Sequence, residues 1–243
     1  MNHDHNSYNN SSPISSGRGY AGTMDLGLRA YMLKIYNYMA SALTITGAVA
    51  YLASTSEPLM TAIFSNTLLF WLVALAPLGM VIFLSSRLNQ MSVSTAQTSF
   101  WVYSGLVGLS FSSLFLIYTG HSIVRVFLVT AGTFAAMSIY GYTTKKDLTS
   151  MGSFLRMGVF GIIIAMVVNM FMQSSALDLA ISAIGVLIFT GLTAYDTQAI
   201  KASYQTGELT EHSEKKAIFG ALSLYLDFIN LFVMLLRFLG DRR

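Results

Sequence analysis

The sequence predicts an all-α polytopic membrane protein, a seven-transmembrane-helix bundle. Three observations carry that prediction. Of 243 residues, 54% are hydrophobic and only 10% charged, where soluble domains run at roughly a quarter charged. The mean hydropathy is +0.59. The apolar residues fall in seven long runs, each near the ~20 residues that an α-helix needs to cross a hydrocarbon core. The runs are unbroken, whereas outer-membrane strands alternate polar and apolar residues.

Residues 1–28 read as a flexible tail rich in Asn, Ser, Gly and His. They contain no apolar signal-peptide core. His3 and His5 read as solvated tail residues rather than a metal pair. Residues 29–243 form the membrane domain, with spans at about 33–54, 67–86, 97–118, 122–142, 154–174, 177–198 and 217–239. Lys and Arg concentrate on the cytoplasmic side of membrane helices. With a cytoplasmic N-terminus, seven crossings put ten basic residues inside, from Arg18 to Lys216, and leave Arg125, Arg237, Arg242 and Arg243 outside. The closing "RFLGDRR" opposes the trend. A re-entrant last segment would move three of those four inside, so both readings of the seventh segment stand at this point.

Composition excludes whole classes of chemistry. With no cysteine, disulfides, thiol catalysis and thiolate metal sites are ruled out. Phosphate loops, nucleotide fingerprints and His/Cys metal spacings are absent. The pI near 9.1 reflects loop charge that orients helices rather than nucleic-acid binding. The expected surroundings are the lipid bilayer and ions. No cofactor and no enzymatic activity are expected.

Among eleven acidic residues, only Asp196 in "GLTAYDTQAIK" and Asp227 in "GALSLYLDFINLF" fall within or at the rim of an apolar helix. A charge there costs at least ~2.5–3.5 kcal/mol on insertion scales, so both are functional candidates. The plain alternative is a protonated carboxyl that bonds a neighbouring helix. Helical phase adds that Gly220, Ser223, Asp227 and Asn230 share one face, as do Ser182, Gly185, Thr193 and Asp196 on the preceding helix. Antiparallel neighbours would bring the stripes together. The two carboxylates reach one depth if the sixth helix runs a turn or two beyond Lys201.

Two carboxyl groups meeting away from water cannot cheaply both ionise, so they share a proton. Protonated, they clasp two helices. Doubly ionised, they repel each other and offer oxygen ligands to a divalent cation. Tight calcium sites use roughly six to eight oxygens, so this pair suits a transient ion site, as conduction requires. Arg87, at the end of the second span, could hold an ionised Asp or anchor its helix at the interface. Arg125 and Arg237 lie near the outer ends and can snorkel. His121 and His212 are lone loop residues with no partner spacing.

"GLTAYDTQAIK", "GALSLYLDFINLFVMLLRFLGDRR" and "YGYTTKKDLTSMG" resemble bacterial members of the Bax inhibitor-1 (transmembrane BAX inhibitor motif) family. The likeness runs from about Arg29 to the C-terminus. It implies six helices around a central seventh, in the bacterial inner membrane. It also implies a pH-sensitive calcium leak whose aspartate pair falls on Asp196 and Asp227, with a latching arginine at Arg87. Relatives are implied to modulate a membrane protease or to restrain cell death through partners, a regulatory alternative in which the tail docks. The link around "GELTEHSEKK" reads as longer than in compact members. An intramembrane aspartyl protease also pairs two Asp residues. However, the Gly-x-Gly-Asp and Pro-Ala-Leu signatures are missing here.

Overall fold

The computed structural model describes residues 16–87, 90–206 and 210–243, with side chains from residue 26 onward. The described residues form nine helices: α1 Ser16–Thr55, α2 Glu57–Ser65, α3 Thr67–Arg87, α4 Val93–Phe111, α5 Leu114–Ile117, α6 Gly120–Thr143, α7 Thr149–Met172, α8 Ser175–Ser203 and α9 Thr210–Leu239. Side-chain oxygens of Ser92, Thr119 and Ser174 accept backbone N–H bonds at the starts of α4, α6 and α8. Helix α7 ends on Gln173 at a left-handed φ of 49°.

All seven expected spans fall on helices. Six stretches are apolar and long enough to cross a membrane: α3, α4 with α5, α6, α7, α8 and α9. The first span, in α1, is not among them, because Lys34, Asn37, Ser41, Thr44 and Thr46 thin its apolar run. The expected tail is also corrected, since α1 begins at Ser16 and takes in residues 16–28. Extending an existing helix costs far less than nucleating one. Residues 1–15, with His3 and His5, lie outside the described residues.

Helix α9 is the centre of the bundle. Ala217, Ile218, Leu222, Leu224, Tyr225, Leu231 and Leu236 are fully or almost fully buried along it. Helices α1, α4, α6 and α8 pack directly on α9, while α3 packs on α4 and α7 on α8. The outer helices expose Leu68, Trp71, Leu72, Leu75, Phe154, Met157, Phe160 and Phe171, the apolar belt of a bundle solvated by lipid. At ~1.5 Å per residue, the 30 residues of α9 reach about 45 Å, more than a hydrocarbon core of ~30 Å. Helix α9 is continuous, so the re-entrant reading is overturned.

Close packing depends on glycines at helix crossings. A Cβ on Gly141 of α6 would lie 2.2 Å from the Ala194 carbonyl oxygen of α8, and one on Gly108 of α4 would lie 2.6 Å from the Thr46 carbonyl oxygen of α1. Small residues let membrane helices approach in this way.

The C-terminus is stitched to the far end of the bundle. Thr119 N–H donates to the Asp241 carbonyl (3.1 Å), and Arg243 N–H to that of Ile117 (3.0 Å). Asp241 N–H donates to Ser122 Oγ at 2.8 Å. Arg125 pairs with Asp241 at 3.0 Å, while Arg237 and Arg242 flank Asp178 at 3.6 and 3.4 Å. Three of the four outlying arginines, Arg125, Arg237 and Arg242, thus have carboxylate partners.

Two stability predictions follow from this packing. Gly141→Ala should destabilise the detergent-solubilised protein by about 1–3 kcal/mol, the usual cost of overpacking. Gly132→Ala on the same helix, where a Cβ meets nothing within 4 Å, should be neutral or stabilising by ~0.5–1 kcal/mol. Equal melting shifts would refute the crossing argument. Removing residues 241–243 should cost about 1–3 kcal/mol from lost backbone bonds and two exposed ion pairs, Arg125–Asp241 and Arg242–Asp178. An unchanged thermal midpoint would show that the clasp contributes nothing.

Candidate functional site

Helices α8 and α9 run antiparallel and present Asp196 and Asp227 to one another. Ser223 Oγ donates to Asp196 Oδ2 at 2.5 Å. The two carboxyl groups lie within hydrogen-bonding reach of each other. Asp227 is 6% exposed, and its Oδ2 is buried with no donor among the described residues. Ionised carboxylates only accept hydrogen bonds, so a bond between these two requires a proton on one of them.

Their depths match for a different reason from the one the sequence suggests. Helix α8 stops at Ser203, barely past Lys201, and α9 starts two turns before Lys216. Lys216 Nζ reaches the Ser203 carbonyl at 3.5 Å, which sets the register. Ser223 lies seven residues beyond Lys216, and Asp196 seven before Ser203, so the serine comes level with that carboxylate. Asp227 sits one turn deeper. The charges of "TEHSEKK" therefore belong to the first turns of α9, not to a long link. Residues 207–209 lie outside the described residues.

The pair forms the floor of a cavity of about 760 Å³ whose rim includes Arg156, His212, Lys215 and Lys216. Arg156, on α7, is the guanidinium whose charge acts on Asp196. Its Nη1 donates to the Tyr195 hydroxyl at 3.1 Å, and its charge sits 4.9 Å from that ring's centre. Arg87 is placed elsewhere. It is exposed at the last turn of α3, donates to Gln90 Oε1 at 3.3 Å, and has no hydrogen bond or ion pair to either carboxylate among the described residues. In the sequence Arg156 counts equally well as an inside charge; its signal is a lone cation two turns into α7.

The polar stripes divide on inspection. Ser223 and Asp227 reach the pair. Thr193 is fully buried and bonds back to the Phe189 carbonyl at 2.8 Å, while Asn230 bonds back to that of Leu226 at 2.8 Å. Gly185 and Gly220 accommodate Met234 and Ile200. A second buried network went unread in the sequence. Tyr225 OH meets Thr46 Oγ1 at 2.7 Å, and Thr46 donates to the Ser104 carbonyl at 2.9 Å. Phe100 and Tyr103 stand edge-on to the Tyr225 ring. Among the described residues, no third His, Cys, Asp or Glu joins the carboxylates in a group able to hold a metal.

Residues 28–243 match the family model described as "Inhibitor of apoptosis-promoting Bax1". The chain belongs to the Bax inhibitor-1 family. A Rickettsia prowazekii protein is 51% identical over 221 residues, covering 91% of this chain and 93% of the relative. A Borreliella burgdorferi protein is 50% identical, covering 88% and 92%. The Escherichia coli K12 protein named "Inner membrane protein YbhL" is 45% identical over 219 residues, covering 89% and 94%. With the apolar helices of the fold, this membership makes the chain a Bax inhibitor-1 family membrane protein.

Ser223→Ala should lower unfolding stability in detergent by about 1.5–3 kcal/mol, since it removes a bond to a carboxylate. Asn230→Ala removes only a bond within its own helix and should cost less than about 1 kcal/mol. Equal losses would show that Ser223 does not support Asp196.

Proposed function

We propose that the chain is a pH-sensitive calcium leak channel of the bacterial inner membrane, gated by a proton shared between Asp196 and Asp227. The observation that carries this reading is the meeting of a buried carboxyl group, Asp227, with a half-buried one, Asp196, at the floor of a cavity open at one end of the bundle. In this conformation the path is closed. Phe228, one residue beyond Asp227, packs edge-on to Phe127 and Phe134, and Tyr225, two residues before Asp227, is held by Phe100, Tyr103 and Thr46.

With one proton between them, the carboxyls join α8 to α9. When that proton passes to water in the cavity, two like charges face each other in a medium that screens them weakly, and the helices are driven apart. The same four oxygens then become transient ligands for calcium, too few to retain it. Ser223 keeps Asp196 oriented throughout, and Arg156 biases the negative charge toward Asp196. Flux therefore rises with pH. The process needs no covalent chemistry, so the protein acts as a conduit rather than an enzyme. The E. coli relative, an inner membrane protein by name, supports the inner membrane. Positive-inside counting supports a cytoplasmic N-terminus and a cavity open to the cytoplasm.

The test uses purified protein in liposomes loaded with a calcium-sensitive dye. Wild-type flux should climb with pH by at most about tenfold per unit, the limit for one titrating proton. Asp196→Asn and Asp227→Asn should each flatten that profile. If both variants retain the wild-type pH profile, the gate lies elsewhere; if wild type passes no calcium at any pH, the channel reading fails.

A further inference from the structure

Helices α1 and α6 both lean on α9 but scarcely touch each other. Tyr36 OH and Ser138 Oγ meet across the gap at 2.7 Å. Along the rest of it runs a mostly apolar groove, in two lobes of about 660 and 760 Å³. The lobes share Ala40, Leu43, Phe127 and Phe228, so they form one groove with its midpoint over Phe228. One lobe reaches Arg29 and Tyr142, the other Tyr51 and Gly120. A Cβ on Gly47 or Gly120 would meet nothing within 4 Å, so the protein itself leaves this space open. The groove shares no lining residue with the aspartate cavity.

Length and charge identify the occupant. Apolar space of this kind stays dry and takes apolar ligands. An α-helix is about 10–12 Å across, roughly twice the section of either lobe, so the groove suits an acyl chain rather than a partner helix. Arg29 and Ala40 are eleven residues apart on α1, about 16 Å along the axis. One leaflet of a ~30 Å hydrocarbon core has nearly that depth. Arg29 is exposed at the mouth and has no hydrogen bond or ion pair among the described residues. Its guanidinium fork matches phosphate oxygens. A cation thus stands where a head group sits, and an apolar slot one chain deep leads from it to Phe228. We propose that the groove binds one phospholipid of the adjoining leaflet, its phosphate held by Arg29 and an acyl chain laid between α1 and α6 against Phe228. The binding stands on its own, but its consequence rests on the channel reading. The chain end backs Phe228, the neighbour of Asp227, and so favours the closed packing.

The experiment is photo-crosslinking of the full-length protein in liposomes that carry a trace of phosphatidylglycerol with a diazirine near the end of one acyl chain. Adducts are mapped by mass spectrometry. Label should concentrate on Ala40, Leu43, Phe127 and Phe228. Ala40→Trp and Ala135→Trp, which fill the Arg29 lobe from opposite walls, should each abolish it. Ala136→Trp, exposed on the same helix but outside the groove, should leave it unchanged. Arg29→Gln should weaken labelling by roughly five-fold, the weight of one basic side chain at an anionic surface, and Arg29→Lys should recover part of it. A diacylglycerol probe with the same chain but no phosphate should label wild type as weakly as phosphatidylglycerol labels Arg29→Gln. Label spread evenly over the lipid-facing residues of α3 and α7 would show a general lipid coat and overturn the site. Full labelling of the groove in either tryptophan variant, shown folded by circular dichroism, would do the same. Equal labelling by the two probes would overturn the phosphate clasp and assign the groove to an uncharged apolar ligand. The wild-type map decides the site even where a variant fails to fold. Because labelling is read without flux, a failed leak assay leaves this result intact, and a failed labelling assay leaves the gate intact.

Discussion

The contact between Asp196 and Asp227 sets the terms on which the last two helices pack. Helix α9 is enclosed by four others, so every polar atom on it must be satisfied within the protein or face a cavity. Most of its length meets that condition by being apolar. Tyr225 meets it through Thr46, and Ser223 through Asp196. Asp227 meets it only in part, because one of its oxygens is buried with no donor. The neighbouring carboxyl can help only while a proton lies between them, so the α8–α9 seam depends on solvent composition in a way the apolar seams do not.

The two ends of the bundle are built differently, and the difference gives the seam a direction. At one end the chain terminus is stitched to α5, α6 and α8 by backbone bonds and by arginines set against Asp178 and Asp241. Such pairs are individually weak, but they converge on a few residues and tie the end of α9 to three elements. At the other end α8 stops early, α9 projects past it, and the space between them is the cavity above the carboxyl pair. On the proposed gating, α8 would separate from α9 at the open end, with the clasped end as pivot.

Much of this arrangement was legible from residue pattern. The apolar run lengths gave the helices, and the phase of Gly220, Ser223 and Asp227 placed the polar face of α9 before any partner was known. Other parts were not legible, for identifiable reasons. Arg87 and Arg156 are equivalent as loop-proximal cations; only the packing of α7 on α8 through Gly152, Gly158 and Gly191 brings Arg156 to the aspartates. The depth match comes from α9 starting early, at Thr210, and not from a longer α8. The clasp pairs residues far apart in sequence, and charge counting treats each arginine alone. Thr193 and Asn230 share the right faces, but a side chain that can bond its own helix four residues back need not look outward.

A contact of this kind makes little sense as mere adhesive. Two apolar side chains at these positions would pack α8 on α9 without an orphaned oxygen, and replacing buried polar pairs by apolar ones is often neutral or stabilising. The rest of the α8–α9 interface already supplies such packing, with Ile200 over Gly220 and Met234 against Gly185. What the carboxyl pair adds is conditional adhesion: attraction with a proton present, repulsion without it. On the channel reading proposed above, that property lets the helices part, with the pair lining the cavity at the open end while the clasp holds the other.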